Sequence, residues 1–114
     1  RTALAACRRW SRSLGIDAVM TRHRLDAIVC PTQAPVWPID LVNGDSFGAN
    51  CTTPAAIAGY PHITLPMGNI LGLPVGLSFF GKAWNDERLI RFAYAYEQAT
   101  TLRRAPRFLP TIEV

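Results

Sequence analysis

The stretch Thr52-Thr53-Pro54-Ala55-Ala56-Ile57-Ala58-Gly59-Tyr60-Pro61-His62-Ile63-Thr64-Leu65-Pro66 decides the fold. It continues through Met67-Gly68 to Gly72-Leu73-Pro74-Val75-Gly76-Leu77-Ser78-Phe79-Phe80-Gly81. Thr53 suits an N-cap and Pro54 the first helical position, where a missing N–H costs nothing. A short helix over 54–58 is therefore expected to end at Gly59, with Pro61 barring its continuation. Residues 63–67 read as a strand that meets an edge or bends at Pro66. Gly68 and Gly72 bracket a turn, and residues 75–80 read as a second strand, which predicts an antiparallel hairpin.

Downstream, Asn85 reads as the cap of a helix whose first turn carries Asp86 and Glu87, charges that favour a helix N-terminus. Leu89, Phe92, Ala93, Tyr96 and Thr100 then give one apolar face, predicting a helix over 86–100. Pro106 and Pro110 make residues 101–114 an extended tail. Upstream, residues 2–23 read as one helix, or as two separated near Gly15. Ala3, Cys7, Trp10, Leu14 and Ala18 form an apolar stripe, and Asp17 is placed to cap the second segment. Residues 25–30 predict a buried strand stopped by Pro31. Residues 31–50 carry Pro31, Pro35, Pro38, Asn43-Gly44 and Gly48 and read as a loop. Its length marks it as functional, and Trp37, Ile39, Leu41, Val42 and Phe47 mark it as packed against something. The class is α/β: a partial mixed sheet with flanking helices.

The 114 residues allow one domain with one modest core. Hydrophobic residues make up 49% and charged residues 18%, apolar enough to suggest a missing partner surface. The net charge of +4 comes from arginines clustered at both ends. They lack the aromatic interleaving and motif of a nucleic-acid interface, so no nucleic-acid partner is expected. Cys7, Cys30 and Cys51 are odd in number and show no metal-ligand spacing. That pattern fits a reducing cytoplasm. No apolar run reaches the ~18 residues of a membrane span, and no membrane partner is expected.

No constellation here performs chemistry unaided. Ser78 and Lys82 lie four apart on strand and loop, where that spacing does not bring side chains together. Gly76-Leu77-Ser78-Phe79-Phe80 lacks the second glycine of a nucleophile elbow. Cys51 with His62 or His23 lacks a group to orient the imidazole. The glycines at 68–76 form no phosphate cradle.

Four ordered blocks nevertheless resemble the amidase signature family, which cleaves carboxamide C–N bonds. They are Leu25-Asp26-Ala27-Ile28-Val29-Cys30-Pro31-Thr32, Thr52 to Pro61, Gly72-Leu73-Pro74-Val75-Gly76-Leu77, and Ala93-Tyr94-Ala95-Tyr96-Glu97. The resemblance implies the C-terminal portion of such an enzyme, a fragment of the larger amidase signature fold. In the family a Ser-Ser-Lys triad does the chemistry without metal or organic cofactor. Its glycine- and serine-rich loop and its lysine lie upstream of the matched blocks, so no catalytic residue transfers to this chain. What transfers is pocket wall: Ser46, Ala49, Asn50, Thr53 and Trp84 match substrate-facing positions. The glutaminase-type members, which serve glutamyl-tRNA amidotransferase, are similar to this stretch but carry an acidic residue where Ala49 stands. A buried ammonium group without a carboxylate partner is costly, so a general amidase with a more apolar substrate is implied.

Two readings follow. In the first, the chain is a section of an amidase, inert alone, whose partners are the N-terminal portion of the same enzyme and, in the complete enzyme, a small amide substrate. In the second, it is a free-standing non-catalytic small α/β module that binds a partner or self-associates through residues 31–50. Either way, unpaired strand edges predict self-association.

Overall fold

The computed structural model describes residues 1–108, so residues 109–114 of the expected tail lie outside the described residues. Helix α1 spans Thr2–Ser11 and α2 spans Asp17–Arg22, and a π-type turn over Arg12–Ile16 joins them. The kink falls at Gly15 (φ −108°, ψ −108°), where a Cβ would stand 2.5 Å from the carbonyl oxygen of Trp10. Strand β1 (Ile28–Pro31), helix α3 (Thr52–Ala58), strands β2 (His62–Ile70) and β3 (Leu73–Phe80) and helix α4 (Asp86–Thr100) follow.

The sheet order is β1-β3-β2, and every pairing among the described residues is antiparallel. The mixed character expected for the sheet is therefore not visible in this section of it. Leu71 and Gly72 turn β2 into β3 with positive φ at both positions (51° and 76°), as a twist-matched two-residue hairpin requires. The pairing slips by one residue between Pro66 and Gly68, a bulge in the edge strand just after its proline.

Side-chain alternation divides the sheet into two faces. Phe80, Ile28 and Cys30 share one face. There Phe80 joins Ile16, Met20, Ala55 and Ala58 in the main core, with Tyr60 packed beside it. Phe79 lies on the other face and meets Tyr96 of α4 edge-on at 6.1 Å, while Leu89 and Ala93 of α4 are buried. Helices thus cover the sheet on both sides. Arg12 clamps the helical arm to α3: its Nε donates to the carbonyl of Ala58 (2.6 Å), and its guanidinium lies over the Tyr60 ring. The Tyr60 hydroxyl donates to Asp17 (2.8 Å).

Three local readings are corrected. The stripe through Trp10 and Leu14 is exposed and α1 buries no residue; Ile16 and Met20 make the contact instead. The arm does run against α3, but the side it turns there is not the predicted stripe: the core contact comes from Ile16 and Met20, past the kink. Thr53 is not the cap of α3, because the helix begins one residue earlier, at Thr52. Cys51 holds the cap position without a side-chain cap, and Asn50 before it supplies the acceptor, its Oδ1 accepting from the Thr52 N–H (3.2 Å) and from the hydroxyls of Thr52 and Thr53 (3.0 and 3.1 Å). Asn85 holds the cap position of α4 without capping it; its Nδ2 donates to the carbonyl of Asp26 (3.0 Å), and Arg88 pairs with the Asp26 carboxylate.

Candidate functional site

The face that is apolar at Phe80 becomes polar two residues earlier. Ser78 is fully buried, and its hydroxyl meets His62 Nε2 at 2.6 Å, Thr32 Oγ1 at 2.8 Å and Thr64 Oγ1 at 3.1 Å. A hydroxyl donates once and accepts twice, so three partners saturate it. The strand registers impose this meeting, since Ser78 lies opposite Thr64 on one side and Cys30 on the other. Burial lowers the pKa of His62 from its ordinary value, which favours the neutral imidazole beside the hydroxyls. The cluster is a polar seam inside the sheet.

Two residues further on stands Gly76. A Cβ there would lie 2.6 Å from Thr32 Oγ1 and 2.9 Å from Thr64 Cγ2. Its bare backbone leaves room for those two threonine side chains, and a cavity of about 400 Å³ lies beside them, lined by Thr32, Thr64, Gly76 and Trp37 among others. Trp37 is held by an edge-on contact with Phe47 and by donation of its Nε1 to Asp45 (3.3 Å). A second cavity of about 500 Å³ shares Gln33, Ala34 and Val75 with the first and adds Ala49, Asn50 and Cys51. The bridge between Gln33 and Asn50 closes the base of the intervening segment. Neither cavity has a charged side chain on its lining; Gln33, Asn50 and the two threonines supply polar side chains there.

The five residues singled out from the sequence separate. Ala49 and Asn50 line the second cavity, and Asn50 also holds the start of α3. Thr53 is exposed and hydrogen-bonded to Asn50. Ser46 is exposed in the 33–50 segment. Trp84 is 95% exposed with φ +64° and borders a different hollow, of about 250 Å³, beside Arg88 and Arg91. The structure therefore does not use Trp84 as a core anchor. The sequence reading missed the seam of Thr32, His62, Thr64 and Ser78. The only local trace of it is His62 and Thr64, two apart on an otherwise apolar strand; its other members meet through strand register. Among the described residues no cluster of three or more His, Cys, Asp or Glu could hold a metal, and no helix is long and apolar enough to cross a membrane.

The family model for amidases matches residues 5–90, the segment that builds both cavities. The chain belongs to the amidase family. A probable amidase of Arabidopsis thaliana is 34% identical over 110 residues, covering 96% of this chain and 18% of its own length. The crystal structure of native peptide amidase from Stenotrophomonas maltophilia superimposes with a TM-score of 0.86 at 48% identity, covering 94% of this chain and 21% of that one. The glutamyl-tRNA(Gln) amidotransferase chain from Thermotoga maritima is more distant, with a TM-score of 0.66 and 28% identity, covering 85% of this chain and 22% of that one. The chain thus spans about a fifth of the length of the amidases it matches.

Proposed function

We propose that this chain is the C-terminal section of a serine amidase, supplying scaffold and part of the substrate pocket and inactive alone. The observation that carries the reading is the pairing of near-complete superposition on a fifth of a peptide amidase with the lack of an exposed nucleophile–base pair among the described residues. A Ser-Ser-Lys triad upstream would attack the carboxamide carbon and expel ammonia or an amine through an acyl-enzyme. Ala49 and Asn50 would line the acyl side, with Thr53, Ser46 and Trp84 as further wall.

The substrate class follows from the lining. The second cavity is walled by Pro31, Ala34, Ala49, Met67, Ile70 and Val75, without a carboxylate to receive an ammonium group. A neutral, apolar acyl group suits that wall better than free glutamine, because an unpaired buried ammonium costs several kcal/mol. The greater likeness to peptide amidase than to the Thermotoga maritima amidotransferase points the same way.

The test uses a C-terminally amidated peptide. The purified chain is expected to release no ammonia. Grafted in place of the matching section of the Stenotrophomonas maltophilia enzyme, it is expected to support turnover. Hydrolysis by the chain alone would refute the reading. A folded graft without turnover, beside an active unaltered enzyme, would refute the pocket role.

A further inference from the structure

The cavity of about 400 Å³ beside Trp37 and the cavity of about 500 Å³ beside Asn50 adjoin, sharing Gln33, Ala34 and Val75. The first has no part in the acyl pocket proposed above, yet its size falls within the ~300–1,000 Å³ of small-molecule sites. Ala34, Val36, Trp37, Pro74 and Val75 make its lining largely apolar, and the hydroxyls of Thr32 and Thr64 are bonded inward to Ser78 (2.8 and 3.1 Å). Gln33 is the exception. It is half-buried and borders both cavities, and its carboxamide makes no hydrogen bond among the described residues. Such a carboxamide keeps a donor and an acceptor ready for a ligand that carries the same pair.

The frame around Gln33 is fixed. The Ala34 N–H donates to the carbonyl of Ala49 (2.9 Å) and the Cys51 N–H to that of Thr32 (3.1 Å), on either side of the Gln33–Asn50 bridge. Trp37 is half-buried and held at two points, by Phe47 at its ring and by Asp45 at its Nε1. A ring held in this way has little rotamer freedom left to lose when a ligand arrives.

We propose that Gln33 and Trp37 form a second substrate subsite for an amidated peptide. Gln33 pairs with a peptide group, and the Trp37 cavity takes an uncharged aromatic or branched apolar side chain from the residue before the one that carries the amide. A peptide group sits between two side chains as Gln33 sits between two cavities. The lining carries no charge, so a Lys or Glu side chain placed there would lose water without gaining a partner. An indole wall favours aromatic and apolar neighbours. The order of the two residues rests on the amidase reading, which gives the second cavity to the acyl group that loses the amide; the pairing of Gln33 with a peptide group does not.

The native chain is titrated with acetyl-Phe-Leu-amide, and binding is read from the backbone amide resonances of Ala34 and Gly76 and from the indole N–H resonances. The indole of Trp37 is expected to shift while those of Trp10 and Trp84, both exposed, stay in place. Exchanging the Phe for Gly or Lys is expected to weaken binding about tenfold or more, as burial of a large apolar side chain implies. Trp37→Ala is expected to erase the preference for Phe over Gly. Gln33→Leu is expected to weaken both peptides alike, by about twofold to tenfold. No binding, equal binding of the three peptides, a preference that survives Trp37→Ala, or unchanged binding in Gln33→Leu would each overturn the inference. The graft separates this from the amidase reading. An inactive graft beside a chain that still prefers Phe refutes the pocket role and leaves the subsite standing. Turnover by the graft with equal kcat/KM for the Phe-Leu and Gly-Leu amides refutes the subsite alone.

Discussion

The sheet end at Phe79 and Phe80 and the segment from Gln33 to Asn50 are built on opposite principles. At the sheet end, neighbouring side chains point to opposite faces, and each face has a helix layer waiting for it. In the segment, Leu41 is 95% exposed, and Ile39 and Val42 are nearly as exposed. Its order comes from polar pins: the Asp40 carboxylate accepts from the N–H groups of Val42 and Asn43 (2.8 and 2.9 Å) and from the Asn43 side chain. Those bonds also hold the Asp40 carboxyl below its ordinary pKa. One region therefore specifies the fold, while the other presents apolar surface and a cavity wall on a frame of local hydrogen bonds.

The sharpest contrast is Phe80→Ala. Emptying a buried aromatic site costs about 3–5 kcal/mol, a large share of the 5–15 kcal/mol by which ~100-residue domains are stable. Urea unfolding should show a midpoint lowered by the corresponding amount. A loss below ~1 kcal/mol would show that Phe80 is not the centre of the core. Next comes Ser78→Ala, which leaves His62, Thr32 and Thr64 facing a methyl group. The unmet polar groups should cost about 1–3 kcal/mol, read as a lower urea midpoint with the slope unchanged.

Asn50 tests the junction between the two regions. Asn50→Ala removes the acceptor for Thr52 and Thr53 and should cost about 0.5–2 kcal/mol, the usual worth of a helix cap. Thr53→Ala should cost less, because it removes only a donor to that acceptor. The reverse order would restore Thr53 as the cap. This contrast also shows what was legible beforehand. The short helix, the hairpin and the buried stripe of α4 follow from Gly59, the paired apolar runs and the Leu89-Ala93 spacing, all local signals. The position of Asn50 was legible only through the family resemblance, because its role depends on how the chain enters α3. The seam around Ser78 depends on registers between strands 14 to 46 residues apart, which no local pattern encodes. The exposed stripe on α1 misled for a related reason: a helical face says which residues share a side, not which side is covered.

The seam carries its own pH signature. Burial holds His62 below 6.5 in the folded chain, so the unfolded state takes up that proton first. Stability is therefore full above the unfolded pKa and falls as pH drops through ~6.5. Urea midpoints at ~pH 7.5 and ~pH 5.5 should differ in the unsubstituted chain and differ less in His62→Gln. An equal drop in both would assign the acid sensitivity elsewhere and remove the imidazole from the seam's energetics.

The smallest effect falls in the segment itself. Leu41→Ser exchanges a side chain that is almost wholly in water, so it should change the chain's stability by no more than ~0.5 kcal/mol. If the segment is a surface the rest of an amidase covers, the same substitution in the graft should cost more, because there the leucine would leave water on folding and its loss would carry a transfer cost of about 1.5–3 kcal/mol. A loss of that size in the isolated chain would mean that the segment already packs against the chain's own surface or a second copy. Dilution then separates those cases, since only contact between copies weakens with concentration. The difference between isolated chain and graft, rather than either value alone, measures how much of this fold's apolar surface is meant for a partner.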